Sequence, residues 1–237
     1  MNSQRLDKII SSQLNIPRSM SRTQIHRGKV TVDGKICRDP SLSVDADTAQ
    51  ITYKGQAITY KKYIYLVMNK PKGALSASTD KNRETVVDLV PSCLKRANLA
   101  PVGRLDRDTT GLLLITDDGE FAHKIISPKS GILKTYLVTL DNEITPDVAE
   151  KFREGVILAD GTKCLPANLE IIEPTKALVQ ISEGKYHQIK RMFGTVDLGV
   201  NELCRLKIGS FALPKGLSEG ECRELTLDEQ NSLFINS

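Results

Sequence analysis

A short charged segment that leads directly into an apolar run is the feature that most constrains this chain. Residues 101–111 have the sequence PVGRLDRDTTG, and the residues that follow, LLLIT, have the composition of a buried strand. The Pro and Gly of this segment place its charged residues in a turn before the strand. Charge beside a core strand is unfavourable unless it is paired or used. The segment therefore predicts either a salt-bridged surface turn or a functional carboxylate, Asp106, beside a core strand.

Positive charge is concentrated in the first quarter of the chain. Residues 1–63 contain 11 Lys and Arg against 5 Asp and Glu, whereas the rest of the chain contains 22 against 24. A small basic segment ahead of a nearly neutral body is typical of a module that docks on a polyanion. Lysines that only keep a small domain soluble would give the same surplus, so charge alone leaves the two interpretations equal.

Cysteine and histidine usage argues against a disulfide scaffold and against a metal centre. The five cysteines and three histidines are scattered, without a CxxC pair or metal-ligand spacing. The sequence shows no apolar run of membrane-spanning length, and its first residues lack the apolar core of a signal peptide. We therefore expect a cytoplasmic protein with reduced thiols, no metal and no membrane partner.

The first sixty residues predict a compact module of two helices and a small sheet. Residues 3–14, with Ser3 as the N-cap, and residues 19–27 are expected to form the helices. The Asp-Gly pair at 33–34 predicts a hairpin, and a second strand pair follows it. Because such a module has only a marginal core, we expect a small domain that spans residues 1–60.

Residues 61–237 predict a larger α+β domain in which strands outnumber helices. Strands are expected at 64–69, 112–116 and 134–140, and further strands and short helices follow. Because many connections are short, we expect these strands to form a large, mostly antiparallel mixed sheet.

The segment around Asp106 closely resembles the catalytic motif of pseudouridine synthases, in the RsuA-like branch that modifies ribosomal RNA. Three other segments resemble that family in the same order: YLVMNKPKG at 65–73, KTY at 134–136 and EGKYHQIKRMF at 183–193. The resemblance covers nearly the whole chain. It implies a pseudouridine synthase catalytic domain that isomerises a uridine of ribosomal RNA and needs no cofactor or metal.

This reaction breaks the bond from a uracil nitrogen to the anomeric carbon, rotates the detached base and joins a base carbon to the same sugar. It needs a nucleophile or base at the sugar, a pocket for the uracil and exclusion of water. An aspartate suits such a centre, as it does in glycosidases, and a cation should lie beside it to keep it ionised in a dry pocket. The resemblance implies that Asp106 is this nucleophile.

The resemblance also assigns the other site residues. Tyr136 corresponds to the tyrosine that packs against the target nucleotide, and Arg104 to the arginine that fills the gap left by an extruded base. In the last of the resembling segments, Lys190 aligns with the cation that pairs with the catalytic aspartate. We therefore predict an ion pair between Asp106 and Lys190, with Arg191 as the second candidate. A lysine supplies charge there without the two-pronged geometry of an arginine.

The N-terminal segment resembles the αL RNA-binding module found in a ribosomal protein, in tyrosyl-tRNA synthetases and in several RNA-modifying enzymes. The matching residues are RLDK at 5–8 and GKVTVDG at 28–34. In that family the two helices lie on structured RNA, which implies contacts mainly to phosphates and hence salt-dependent binding. By position, six basic side chains are expected to meet phosphates: Arg5, Lys8, Arg18, Arg22, Arg27 and Lys29.

The preferred hypothesis is a monomeric enzyme that acts on small-subunit ribosomal RNA. The alternatives are a large-subunit enzyme of the same family and a non-catalytic protein that binds ribosomal RNA or assists ribosome assembly. A hydrolase that releases uracil is a weaker third hypothesis. Asp106, Tyr136 and Lys190 occur together, which a pure binding protein would not need. The target uridine, and whether the substrate is free RNA or an assembly intermediate, stay open.

Overall fold

The chain divides into two compact units in the computed structural model, which describes residues 2–236. One unit runs to Ile64 and includes Lys95–Asn98, and the other comprises Tyr65–Leu94 and continues from Leu99. None of the helices formed by the described residues has the length and apolar character needed to span a bilayer.

The first unit is built from two helices and six short strands among the residues described. Their order is β1 (Ser3–Arg5), α1 (Leu6–Leu14), α2 (Arg18–His26), β2 (Val30–Val32), β3 (Lys35–Cys37), β4 (Ser43–Asp45), β5 (Ile51–Tyr53) and β6 (Gln56–Ile58). Four strands form an antiparallel sheet in the order β3-β2-β5-β6, and β1 pairs separately with β4. The apolar side chains of α1 pack into the core of this unit, where Leu6, Ile9 and Ile10 are fully buried together with Ile25.

The first helix begins later than the sequence predicts, so the assignment of Ser3 as its N-cap is wrong. Ser3–Arg5 is extended and pairs with Ser43–Asp45, and α1 starts at Leu6. The amides of Leu6 and Asp7 donate to carbonyl oxygens of residues 42 and 40 at 2.9 and 3.0 Å. These backbone partners satisfy the first free amides of the helix, which therefore needs no side-chain cap.

The second unit is the α+β domain that the sequence predicts. Its elements are β7 (Tyr65–Lys70), β8 (Ala100–Pro101), β9 (Thr110–Thr116), α3 (Gly119–Ile126), β10 (Lys134–Leu140), α4 (Pro146–Glu154), β11 (Asn168–Glu173), β12 (Lys176–Ile181), α5 (Gln188–Gly194), β13 (Val200–Ile208), β14 (Phe211–Ala212), β15 (Cys222–Glu224) and α6 (Leu227–Ser232). A short 3-10 helix, Pro128–Ser130, precedes β10.

These strands form one large mixed sheet in the order β11-β12-β10-β13-β9-β7-β15, with β8 added at β9 and β14 at β13. Within it β13 and β9 pair in parallel, whereas the other pairs are antiparallel. The predicted strand at 112–116 is confirmed as the buried part of β9. Because β9 begins directly after the charged turn, the turn that carries Asp106 lies at the N-terminal end of a central strand.

Gly111 occupies the close parallel contact between β9 and β13. Its φ is +96°, and an added Cβ would collide with the carbonyl oxygen of Arg205. We expect Gly111→Ala to lower the free energy of unfolding by about 2–4 kcal/mol, because both the backbone conformation and the close approach exclude a side chain. Urea unfolding followed by circular dichroism measures this loss.

The matched control for that substitution is Gly119→Ala in the first turn of α3. A Cβ added at Gly119 meets nothing within 4 Å, and its backbone is helical. We expect this change to be neutral or slightly stabilising. An equal loss of stability in the two variants would contradict the role assigned to Gly111.

Candidate active site and basic surface

A cleft of about 960 Å³ opens in the second unit at the turn before β9. Its lining includes residues 102–107 of that turn, residues 183–187 before α5, and side chains of β10 and β13. Asp106, Tyr136 and Arg104 all line it. The structure thus brings together three of the residues that the sequence singles out, on elements far apart in the chain. Within residues 2–236 no three His, Cys, Asp or Glu side chains form a group that could hold a metal ion.

The backbone on both sides of Asp106 is fixed by hydrogen bonds. The Ser76 hydroxyl accepts from the amide of Leu105 at 3.0 Å and donates to its carbonyl at 2.8 Å. The Gly73 amide donates to the carbonyl of Arg107 at 2.8 Å. Leu105 itself is buried. The turn is therefore held in place, and it presents the Asp106 carboxyl to the cleft with 29% of the side chain exposed.

Lys70, the last residue of β7, holds the same turn from inside the core. It is fully buried, and its Nζ donates to the carbonyls of Pro71 and Thr109, both at 3.0 Å, and of Arg107 at 3.4 Å. Burial lowers the pKa of Lys70 to about 8, although the nearby carboxylates favour its charged form. Lys70 is a positioning residue, because it contacts the backbone of the turn on the C-terminal side of Asp106.

The predicted ion pair between Asp106 and Lys190 is wrong. His187 Nε2 lies 3.4 Å from Asp106 Oδ1, whereas Lys190 Nζ lies 2.5 Å from Asp108 Oδ2. His187 and Lys190 are three residues apart at the start of α5, so they project from the same side about one turn apart. They therefore meet two different carboxylates of the charged turn. The hydrogen bond from Lys190 lowers the pKa of Asp108 below its usual value.

Arg191, the second candidate, does not pair with Asp106 either. Its Nη2 lies 2.5 Å from Asp160 Oδ2, in the loop between α4 and β11. Hydrogen bonds from Thr162 and then from Arg191 lower the pKa of Asp160 to about 2. Arg104 lies exposed at the cleft and makes no ion pair with another described residue.

The segment before α5 forms a rigid lip of the cleft. The Glu183 carboxylate is paired with Lys185 and accepts a hydrogen bond from the side-chain amide of Gln188 at 2.8 Å. The side-chain oxygen of Gln188, Oε1, accepts from the backbone amide of Lys185 at 2.9 Å. His187 takes a left-handed conformation, with φ of +48°, and its ring stacks on that of Tyr186 at 3.9 Å. An aromatic ring that is 76% exposed therefore lies at the rim, next to the histidine that contacts the carboxylate.

The floor of the cleft contains two cations, Lys134 and Arg205, to which the sequence interpretation gives no role. Tyr136 is buried, and its hydroxyl accepts from Arg205 Nη1 at 3.5 Å. Lys134 lies two residues before Tyr136, so both side chains leave the same face of β10. Lys134 belongs to the resembling segment at 134–136, in which the resemblance assigns a role only to Tyr136, and Arg205 lies outside all four resembling segments. One sequence signal could have identified Arg205. In strand β13 it lies two residues after Leu203, so the alternation of side chains turns both to the same, buried face, where a charged residue is unexpected.

The first unit carries the predicted basic surface, organised around one buried carboxylate. Asp7 is fully buried and pairs with Arg5 at 3.1 Å and with Arg18 and Arg22 at 2.9 Å. Burial alone would raise the pKa of Asp7, but hydrogen bonds from these arginines lower it well below its usual range. All six cations that the sequence predicts to meet phosphates are exposed. Three of them are therefore held in fixed positions with their guanidinium groups available to solvent.

Comparison with known proteins relates both units to families. The model described as RNA pseudouridylate synthase matches residues 64–195, and the S4 domain model matches residues 4–48. An uncharacterised RNA pseudouridine synthase of Bacillus subtilis is 40% identical over 233 residues, which cover 97% of this chain and 98% of that protein. The ribosomal small subunit pseudouridine synthase A of Escherichia coli is 42% identical over 231 residues, 95% of this chain and 97% of that protein. A crystal structure of a pseudouridylate synthase matches with a TM-score of 0.68 and 36% identity, covering 98% of this chain and all of the other.

The Asp7 cluster makes a testable prediction about the first unit. We expect Asp7→Asn to lower the free energy of opening of α1 and α2 by about 2 kcal/mol, because three neighbouring arginines lose the buried carboxylate to which they donate hydrogen bonds. Amide hydrogen exchange of these helices in the full chain measures this. The control is Asp33→Asn, which changes charge equally at an exposed turn whose left-handed φ of +48° suits asparagine. Equal protection in the two variants would contradict the prediction.

Proposed function

The chain belongs to the RNA pseudouridylate synthase family, and on that premise we propose that it converts a specific uridine of small-subunit ribosomal RNA into pseudouridine with Asp106 as the nucleophile. The observation that carries the proposal is the Asp106 carboxyl, which a doubly anchored turn presents to the cleft. The small-subunit RNA is the substrate named for the Escherichia coli relative. The N-terminal S4 domain supplies a basic surface of the kind that docks on RNA.

The cleft has the parts that this isomerisation requires. The flipped uridine enters the cleft and packs against the buried ring of Tyr136, and Arg104 at the cleft occupies the gap that the base leaves in the RNA. Asp106 then acts at the sugar while the uracil detaches, turns and rejoins through C5. The hydrogen on C5 is released as a proton when the new carbon–carbon bond forms. The buried floor limits water, which protects the detached intermediate from hydrolysis.

Lys190 and Arg191 have an indirect role in this proposal. Lys190 pairs with Asp108, two residues from the nucleophile, and so ties the first turn of α5 to the charged turn. Arg191 anchors α5 to the loop that contains Asp160. Both are therefore proposed as positioning residues, and His187 is the side chain that contacts the nucleophile directly.

The S4 domain is proposed to bind the RNA through phosphates. Its exposed cations include three arginines already oriented by Asp7, so binding does not have to order them. Such contacts carry little base specificity, and the choice of uridine falls to the cleft. Because one copy of the chain contains both the basic surface and the cleft, we propose that it acts as a monomer. Its place of action is the cytoplasm, where ribosomal RNA is assembled.

The nucleophile is tested with Asp106→Asn. We expect tritium release from small-subunit ribosomal RNA labelled at uridine C5 to fall by more than about 1000-fold, roughly 4 kcal/mol of barrier, with RNA affinity retained. Asp197→Asn, at an exposed turn with φ of +55°, is the control and should keep full activity. Residual activity within about tenfold of the wild type would exclude Asp106 as the nucleophile.

The same variant decides the substrate in cells. Pseudouridine is mapped across both ribosomal RNAs in a deletion strain that carries either the wild-type gene or the Asp106→Asn gene. One small-subunit position should be modified only with the wild type. Loss confined to large-subunit RNA would assign the enzyme to the other subunit, and release of free uracil would indicate a hydrolase.

Phosphate contacts of the S4 domain are tested through salt. We expect the double substitution Arg18→Gln and Arg22→Gln to weaken RNA binding and to reduce the slope of log affinity against log salt by about 1–2, since each lost contact contributes about 0.7–0.9. The control is Lys124→Gln with Lys151→Gln, which changes charge equally at helix lysines paired with acids. A slope equal to that of the control would show that this surface does not dock the RNA.

A further inference from the structure

Two buried cations lie next to each other on the floor of the cleft. Tyr136 of β10 and Arg205 of β13 are ladder partners, and Lys134 shares the face of Tyr136, so the three side chains lie on one face of the sheet. All three line the cleft together with Asp106. Their exposed fractions are 7% for Lys134, 8% for Tyr136 and 4% for Arg205.

Neither cation has a carboxylate partner among the described residues. Arg205 Nε donates to the carbonyl of Leu112 at 2.8 Å, but its Nη2 is buried without a hydrogen-bond partner. Lys134 makes no ion pair with a described side chain. Burial and the positive charge of Arg205 lower the pKa of Lys134 to about 8.

An arrangement of this kind does not stabilise the fold. Burying a charge is unfavourable unless a counter-charge or hydrogen bonds compensate it, and two adjacent like charges add repulsion. Conflicts of this kind between a local arrangement and stability are expected at functional sites. Two buried cations without a counter-charge suit a group that becomes negative during a reaction, because charges already fixed in place need no reorganisation.

Resting on the function proposed above, we infer that Lys134 and Arg205 stabilise the negative charge that develops on uracil when it leaves the ribose. The bond between N1 and C1′ breaks with its electron pair moving onto N1, and conjugation shares that charge with the carbonyl oxygens O2 and O4. At the sugar, the positive charge left on C1′ is removed either by a bond to an Asp106 oxygen or by loss of the C2′ proton to that carboxylate.

The remaining steps restore the balance of atoms and charge. C5 attacks C1′, and Asp106 either leaves as a carboxylate or returns the proton to C2′. The proton on C5 then goes to solvent and N1 takes one up. In both routes the detached uracil is an anion, so the role of the two cations is the same.

Depth favours the base over a phosphate as the group that these cations meet. Lys134 and Arg205 are less than one-tenth exposed and lie beside Tyr136, the proposed stacking residue. Phosphates of a docked RNA stay near solvent, where the cleft offers exposed Arg104 and Arg107 instead.

The test uses Lys134→Met in the full chain. At saturating enzyme, we expect single-turnover tritium release from C5-labelled small-subunit ribosomal RNA to fall about 100-fold, as it does when one transition-state donor is lost. RNA affinity should stay within about twofold, and the thermal midpoint should be unchanged or raised, because an uncompensated buried charge is removed. Lys176→Met, at the first residue of β12 with its side chain 39% exposed, is the control for loss of a lysine and should keep full activity.

A leaving-group measurement separates charge stabilisation from a structural role. Fluorine at C5 withdraws electrons and makes uracil a better leaving anion, so RNA that contains 5-fluorouridine should depend less on the cations. Loss of 5-fluorouridine from nuclease digests, followed by mass spectrometry, should therefore show a smaller defect for Lys134→Met than uridine does. Arg205→Gln should give the same pattern.

Several results would overturn the inference. The first is a Lys134→Met rate within about twofold of the wild type. The second is an equal defect on the uridine RNA and the 5-fluorouridine RNA. The third is weaker RNA binding with an unchanged rate at saturation, which would assign the pair of cations to a phosphate. A lowered thermal midpoint with an equal defect on both RNAs would indicate a structural role only. If the wild-type enzyme released no tritium from either ribosomal RNA, the proposed function would fall and this inference with it.

Discussion

The turn that carries Asp106 depends on hydrogen bonds from the buried ammonium group of Lys70. Lys70 is the last residue of β7, and its buried Nζ donates to the carbonyls of Arg107 and Thr109, on the C-terminal side of Asp106. The Ser76 hydroxyl holds the backbone of Leu105 on the N-terminal side. Carbonyl oxygens in a loop would otherwise need water, which the core excludes. One buried cation thus lets a sharply turned, highly charged segment lie at the end of a central strand. The turn is consequently fixed within the protein itself, and the proposed nucleophile is positioned before the substrate arrives.

The two units use charge in different ways. On the S4 domain the cations are exposed, and Asp7 orients three of them without neutralising the surface. Exposed charge of that kind attracts phosphates over a distance and is screened by salt. On the floor of the cleft Lys134 and Arg205 are buried, so their charges act at short range and strongly. In the function proposed here, capture of the RNA and chemistry on one base therefore rest on separate groups, which can be varied independently.

Local patterns were enough to predict most elements, and long-range pairing decided the rest. The strand Lys134–Leu140 agrees to the residue, because a run rich in Thr, Tyr and Val predicts a strand without reference to a distant partner. The strand at Ser3–Arg5 depends on a partner forty residues away, which no local pattern shows. The resemblance of segment 183–193 predicts that Lys190 pairs with Asp106, but its ammonium group pairs with Asp108. About one helical turn separates Lys190 from His187, which contacts Asp106. Arg205 lies 69 residues from Tyr136 and only the ladder of β10 with β13 brings them together.

The buried charges of this protein differ in how completely they are satisfied, and that difference separates structure from function. Asp7 has three arginines and Lys70 has three carbonyls, so both are compensated within the fold. Lys134 and one nitrogen of Arg205 have no such partners among the described residues. A compensated buried charge has its partners within the fold, and removal of one partner destabilises the protein. An uncompensated charge in a cleft gains its partner only when a ligand enters, so its free energy is available to the reaction, which is where a charged intermediate needs it.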